Sequence, residues 1–207
     1  MIERICDFLI TKIRKEMPEI DDERAEIINY GLQLTIGEIP KFFIMVAIAF
    51  LLGVGELSIL SFLVILPYRM FSGGFHMKTH IGCIVCTTLM YSGNSFFSKF
   101  FVLPQDVKLV VTLLIWIFGL VMITLYAPAD TENVPILSKK ERKKQKVLSY
   151  ITFTTILTIS LFIKEPIISN ICVYGMFIQT LCITRLAYKL TNNKFGYEEY
   201  NKNLNMV

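Results

Sequence analysis

The sequence predicts an all-α, polytopic membrane protein with about six transmembrane segments and an amphipathic helix at its N-terminus. Three observations carry that prediction. Of the 207 residues, 54% are hydrophobic and only 18% charged, a balance unlike that of a soluble globular domain. The charges gather into short runs and leave long apolar stretches such as Val107–Leu125, which suit helices crossing a hydrocarbon core about 30 Å thick. The 21 basic residues are also unevenly placed: with six spans, only Lys99, Lys108 and Lys164 fall on one side.

The elements follow in order. Within residues 1–30, Ile2, Ile5, Phe8, Leu9, Ile13 and Met17 recur at helical spacing with charges between them. Pro18 breaks this helix, and Asp21-Asp22-Glu23 opens a second piece. The pattern predicts an interfacial anchor lying on the membrane; a dimer contact or one wall of a peptide groove is the alternative. The first span, Phe42–Val54, covers only about 20 Å. It must recruit part of Leu32–Ile39, with Pro40-Lys41 as a kink or boundary. That draws Glu38 toward lipid depth, where it must pair with Lys41 or Arg69 or stay neutral. Gln33 sits at the entry to the same span.

A tight turn at Gly53-Val54-Gly55 leads to a second short span, Leu57–Leu66, which Pro67 ends or bends. Further spans are Ile81–Phe101, Val107–Leu125, Val147–Ile163 and Ile167–Ala187, the last two joined by Lys164-Glu165-Pro166. The chain is read as one membrane-embedded domain over 1–207: interfacial helices over 1–30, a transmembrane region over 31–187 and a polar tail over 188–207. An even number of spans puts both termini on one side, and the bias of Lys and Arg makes that side the cytoplasm. The net charge of +4 therefore reports topology, and nucleic-acid binding is excluded as its explanation. Five cysteines in or near apolar segments do not make a disulfide framework; they fit reduced thiols facing a bacterial cytoplasm or lipid.

Between the second and third spans lies the stretch Pro67–Cys86, which holds both histidines of the chain and Cys83 and Cys86. Reactive side chains at membrane depth are costly and invite a functional reading. On one continuous helix, His76 and Cys83 would lie about 10 Å apart along the axis, too far for a base that must come within about 3 Å. If His76 serves Cys83, the helix must begin after His76 and the chain before it must fold back. Gly73-Gly74 permits that bend. His80, at i, i+3 from Cys83, is the rival base and needs no special loop. Short, broken flanks around the stretch predict a half-buried cavity over Gly73–Cys83.

Residue types alone leave three readings. A Cys–His pair performs acyl transfer, with a thiolate attacking a carbonyl and imidazole moving the proton. Alternatively, His76, His80, Cys83 and Cys86 hold zinc, although their spacing fits no common finger. In the third, small cysteines pack in apolar helices and the histidines are merely wet.

The run Arg69-x3-Gly73-Gly74-x-His76-x6-Cys83 resembles the signature of the AgrB family, membrane-embedded cysteine endopeptidases of Gram-positive quorum sensing. A second similarity is Tyr126-Ala-Pro128-Ala-Asp130-Thr-Glu132-Asn133-Val134-Pro135 followed by the basic run 139–146, and a weaker one is Gly31-Leu-Gln33. Val134 stands where family members often carry a basic residue. The resemblance covers nearly the whole chain.

It implies a substrate, a short AgrD-type pro-peptide with an amphipathic leader and an acidic C-terminal tail, and it implies roles. Cys83 is the nucleophile and His76 its base, with His80 in reserve. Gly73 and Gly74 shape the loop and offer amides to the oxyanion. Arg69 holds a substrate carboxylate or pairs with Glu38. The basic run, beginning at Lys139 and Lys140, fixes topology or attracts the acidic tail. Asp130 and Glu132 organise their loop or touch the peptide, Gln33 and Glu38 support the site, and Cys86 packs. No cofactor or metal is implied; a homodimer is. A peptide exporter or channel that does not use Cys83 and a zinc-dependent membrane hydrolase are the competing functions.

Overall fold

The computed structural model describes residues 2–132 and 135–204; Asn133 and Val134 lie outside the described residues, as do the side chains of Gln33, Glu38 and His80. Among the described residues the regular structure is helical and there is no strand. Two compact units are formed, Met1–Ala47 and Ile48–Val207.

The first unit contains α1 (Ile2–Glu16) and most of α2 (Asp22–Leu51). The break between them falls around Pro18, as expected. Asp21 Oδ1 accepts the Arg24 amide at 2.8 Å and caps the start of α2. Asn29 Nδ2 donates to Asp7 Oδ1 at 3.1 Å and ties the two helices together. The boundary expected at Pro40-Lys41 is absent: α2 is a single helix of 30 residues with Pro40 inside it. A proline deletes one backbone bond, and a helix this long keeps its register across the gap. Its apolar part is Ile39–Leu51.

The second unit is built from α3 (Gly55–Ser72), α4 (His80–Phe100), α5 (Gln105–Tyr126), α6 (Lys139–Phe162) and α7 (Pro166–Cys182), followed by the short α8 (Arg185–Leu190) and α9 (Gly196–Leu204). By length and composition α3, α5 and α6 can each cross a membrane, and α7 is a shorter apolar helix. Among the described residues these three spans and the shorter apolar helices Ile39–Leu51 and α7 are the apolar helices, and α4 is less apolar than they are. The central helix is α7, which packs against α3, α4, α5 and α6. Its Ile171, Val173 and Met176 are fully buried, as are Ile65 and Tyr68 of α3 and Phe153 and Leu157 of α6. Gly119 lets α5 close on the Phe153 ring, where any Cβ would collide. Leu114, Ile117, Val121 and Leu125 of α5 point outward and are more than 45% exposed. An apolar row with that exposure fits contact with acyl chains.

Two sequence-based expectations for this unit are corrected. The second span does not stop at Pro67, since α3 continues through it to Ser72. The third is not broken by Gly82 or Gly93, since α4 is continuous over 21 residues. Within and before the polar tail 188–207, α8 packs against α7 and the Tyr197 amide at the start of α9 bonds Asp130 Oδ2. One end of the unit gathers the loop 73–79, the segment 127–132 and α8 with its flanks through bonds such as Gly74 N–H to Ala129 O at 2.9 Å and Tyr188 Oη to Ala129 O at 2.8 Å. The other gathers 52–54 and 101–104, where Lys99 Nζ donates to Gly53 O and Asn170 Nδ2 to Phe101 O. Lys108, near the start of α5, is buried and donates to Ser169 Oγ at 3.2 Å.

Candidate active site

The site forms where α3 stops and α4 starts. Gly73 takes φ 72 and ψ −149, and Gly74 takes φ 139; both lie where glycine alone is comfortable. The reversal is pinned by an isolated parallel bridge between Gly73 and Ala129. Ala129 N–H donates to Ser72 O at 2.8 Å and Gly74 N–H donates to Ala129 O at 2.9 Å. A Cβ on Gly73 would sit 2.3 Å from Ala129 O. The two motifs picked out in the sequence are therefore joined backbone to backbone.

Helix α4 begins at His80, after the Thr79 cap, whose Oγ1 accepts the Gly82 amide at 3.1 Å. His76 lies before the helix in the exposed loop, and Cys83 lies in the first helical turn, half-buried, with its amide on Thr79 O at 2.9 Å. Helical side chains lean toward the N-terminus, so the Cys83 sulfur leans toward the loop carrying His76. The positive end of the helix dipole favours negative charge at this turn. Cys86 follows one turn on, also half-buried; all five cysteines are free thiols. Among the described residues no three His, Cys, Asp or Glu groups gather as metal ligands.

Arg69 is engaged with protein groups. Its Nη2 donates to Phe75 O at 2.8 Å and its Nη1 to Gln179 Oε1 at 3.4 Å. Its guanidinium also lies beside Cys86 and Cys182. Gln179, fully buried, donates through Nε2 to Gly73 O at 2.8 Å and to Ser72 Oγ at 3.0 Å. Both of its Nε2 hydrogen bonds go to the turn. Gly73 N–H donates to Arg69 O and Gly74 N–H to Ala129 O, so neither amide is left to bind an oxyanion.

The second motif is organised by Asp130. Its fully buried carboxylate accepts Arg142 Nη1 at 2.9 Å, Ile136 N–H at 2.9 Å and Tyr197 N–H at 3.0 Å through Oδ2. Arg142 also holds Pro128 O at 3.2 Å and stacks on the Tyr197 ring at 4.4 Å. Asp130 is thus a loop organiser, while Glu132, Lys139 and Lys140 are exposed. Burial pushes the Tyr188 phenol above its ordinary range, which keeps it a donor to Ala129 O and Asp130 O. Behind Ala127-Pro128 lies a cavity of about 310 Å³ lined by Leu125, Tyr126, Arg142, Lys143, Lys146 and Phe195, among others. This cavity borders the Ala127-Pro128 side of the second motif.

Gln179, Tyr188 and Asn193 brace the site and are absent from the sequence-based set. Gln179 had a signal, a lone amide in an apolar helix. Tyr188 and Asn193 had none, since both act on carbonyls more than fifty residues away.

The family model of Accessory gene regulator B matches residues 6–183. An AgrB-like protein of Listeria innocua is 30% identical over 200 residues, covering 96% of this chain and 94% of its own. One from Listeria monocytogenes is 29% identical over 202 residues with the same coverage, and AgrB-like protein 2 of Clostridium perfringens is 25% identical over 204 residues, covering 90% of this chain and 93% of its own. No solved structure matches. On the extent of the family match, the chain belongs to the Accessory gene regulator B family.

Proposed function

We propose that the protein is a membrane cysteine endopeptidase that removes the C-terminal tail of an AgrD-type pro-peptide and promotes cyclisation of the remainder. The observation that carries this is the start of α4 between His76 and Cys83. It puts a thiol in the first turn of a helix and an imidazole on the glycine-made loop before it. In the proposed reaction His76 takes the Cys83 proton, and the thiolate attacks the scissile carbonyl. The tetrahedral intermediate collapses as the imidazolium returns its proton to the leaving amine. The tail departs and a thioester remains on Cys83. A thiol or hydroxyl within the peptide then gives its proton to His76, attacks that thioester, closes a thiolactone or lactone ring and releases the Cys83 thiolate, which takes the proton back from the imidazolium. Exchange of one thioester for another is nearly isoenergetic, whereas hydrolysis is downhill, so limited water at the membrane favours the ring.

With the two glycine amides engaged, the oxyanion falls to the first turn of α4, where helix geometry leaves the Ile81 N–H without an intrahelical partner. The acidic tail is assigned to the cavity beside Lys143 and Lys146, whose charge complements it. The loops of the site share one end of the bundle with the basic run 139–146, which supports a cytoplasmic site with cytoplasmic termini. A homodimer in the bacterial cell membrane completes the proposal.

The test co-expresses a pro-peptide with wild type and with His76→Ala, His80→Ala, Cys83→Ser and Cys86→Ser. Loss of tail removal in the His76 and Cys83 variants, with activity kept in the other two, is the expected result. Processing by Cys83→Ser would instead leave an exporter or channel as the function. Loss in all four, together with sensitivity to chelator, would point to the zinc hydrolase.

A further inference from the structure

The family match ends at residue 183, yet the segment after it is bonded to both loops of the site. Asn193 Nδ2 donates to the backbone carbonyl of His76 at 2.8 Å, 117 residues away. The same amide is held by Thr191 O at 3.2 Å and Thr191 Oγ1 at 2.9 Å, and the Asn193 N–H is held by Tyr188 O at 2.9 Å. Tyr188, 2% exposed, donates to Ala129 O and Asp130 O and stacks on Phe195 with ring centres 4.1 Å apart. Beyond it Gly196 packs so closely on Thr131 that a Cβ would sit 2.2 Å from Thr131 O, and the Tyr197 amide closes on Asp130 Oδ2.

We propose that residues 184–197 form a strap whose Asn193 is a positioning residue for His76. The strap is anchored on the Ala129–Thr131 loop and reaches over to the carbonyl of the residue that carries the base. Gly73, Gly74 and Phe75 tie the loop on the N-terminal side of His76, and the Thr79 cap ties it on the C-terminal side. The Asn193 amide fixes it at His76 itself. Acyl transfer tolerates little displacement of a base, since a shift of about 1 Å can cost about a hundredfold in rate. Asn193 touches neither thiol nor peptide in this account; it acts through the backbone of His76. The inference rests on the proposed role of His76.

The test uses full-length protein in detergent micelles with a synthetic pro-peptide. It compares wild type, Asn193→Asp, Asn193→Gln, Tyr188→Phe and His76→Ala. Asn193→Asp keeps the size but loses the donor. We expect its rate of Cys83 acylation at saturating peptide to fall about tenfold, with KM within twofold of wild type. Asn193→Gln, which keeps an amide donor, should recover most of that rate, and Tyr188→Phe should fall between. Size-exclusion profiles establish that each variant is folded. A folded Asn193→Asp protein with wild-type acylation, or one in which KM rises while kcat holds, overturns the strap. If His76→Ala acylates as fast as wild type, the proposed function itself fails, and that outcome is separate from the first. Reaction of Cys83 with iodoacetamide across pH supplies a readout without peptide: Asn193→Asp should shift the profile toward that of His76→Ala, and an unshifted profile counts against the strap.

Discussion

Replacing Gly73 with alanine tests the turn on which the site depends. The backbone there, at φ 72 and ψ −149, is in a region that only glycine occupies readily, and a side chain costs about 1–3 kcal/mol. The added Cβ also meets Ala129 O at 2.3 Å and Ala129 C at 2.9 Å. Those are backbone atoms gripped from several sides: Ala129 donates to Ser72 O and accepts from Gly74 N–H and Tyr188 Oη. They have no open direction of retreat, and overpacking of this kind costs about 1–3 kcal/mol. Shared relaxation makes the two costs overlap, so the expected loss is about 2–4 kcal/mol. Gly93→Ala is the control. Its Cβ meets nothing within 4 Å, and alanine inside a helix gains up to about 1 kcal/mol over glycine. The assay is denaturant unfolding in micelles followed through Trp116, the single tryptophan, alongside tail removal. Gly73→Ala should lose stability and processing while Gly93→Ala keeps both. Equal stability of the two variants would refute the reasoning.

Other perturbations have definite outcomes. Gln179→Leu strips donors from Gly73 O and Ser72 Oγ and should cost about 2–3 kcal/mol in the same unfolding assay. Asp130→Ala leaves Arg142, whose side chain is 21% exposed, without its carboxylate; about 3 kcal/mol should be lost. Lys143→Glu and Lys146→Glu should raise KM for a pro-peptide with an acidic tail severalfold and leave kcat nearly unchanged, an effect that weakens as salt rises. Because burial keeps the Tyr188 phenol protonated well above its ordinary range, the deficit of Tyr188→Phe should be constant from about pH 6 to 9; a deficit that vanishes toward pH 9 would mean the phenol ionises there.

Much of this was legible in the sequence because it follows from local rules. Hydropathy located the apolar helices, Pro18 and Asp21 placed the α1–α2 break, and Gly73-Gly74 marked the reversal. Pro40 and Pro67 left an end or a kink open, and neither ends its helix, since a proline removes one bond without stopping a helix whose flanking residues are strong helix formers in an apolar setting. What could not be read is the pairing of distant carbonyls. The Gly73–Ala129 bridge, the fully used amide of Gln179 and the reach of Asn193 to His76 O all depend on how α7 and α8 dock. No spacing rule encodes those contacts. The fate of the Gly73 and Gly74 amides was hidden for the same reason: the sequence gives their freedom to turn, and only the fold reveals that Arg69 O and Ala129 O consume them.

The most direct measurement is intact-mass spectrometry of the full-length protein after reaction with a pro-peptide whose ring-closing nucleophile is replaced by alanine. With cyclisation blocked, the account predicts a mass increase equal to the peptide without its tail, mapped to Cys83, released by hydroxylamine and absent from His76→Ala. An adduct on any other residue, or tail release by Cys83→Ser at the wild-type rate, would contradict it.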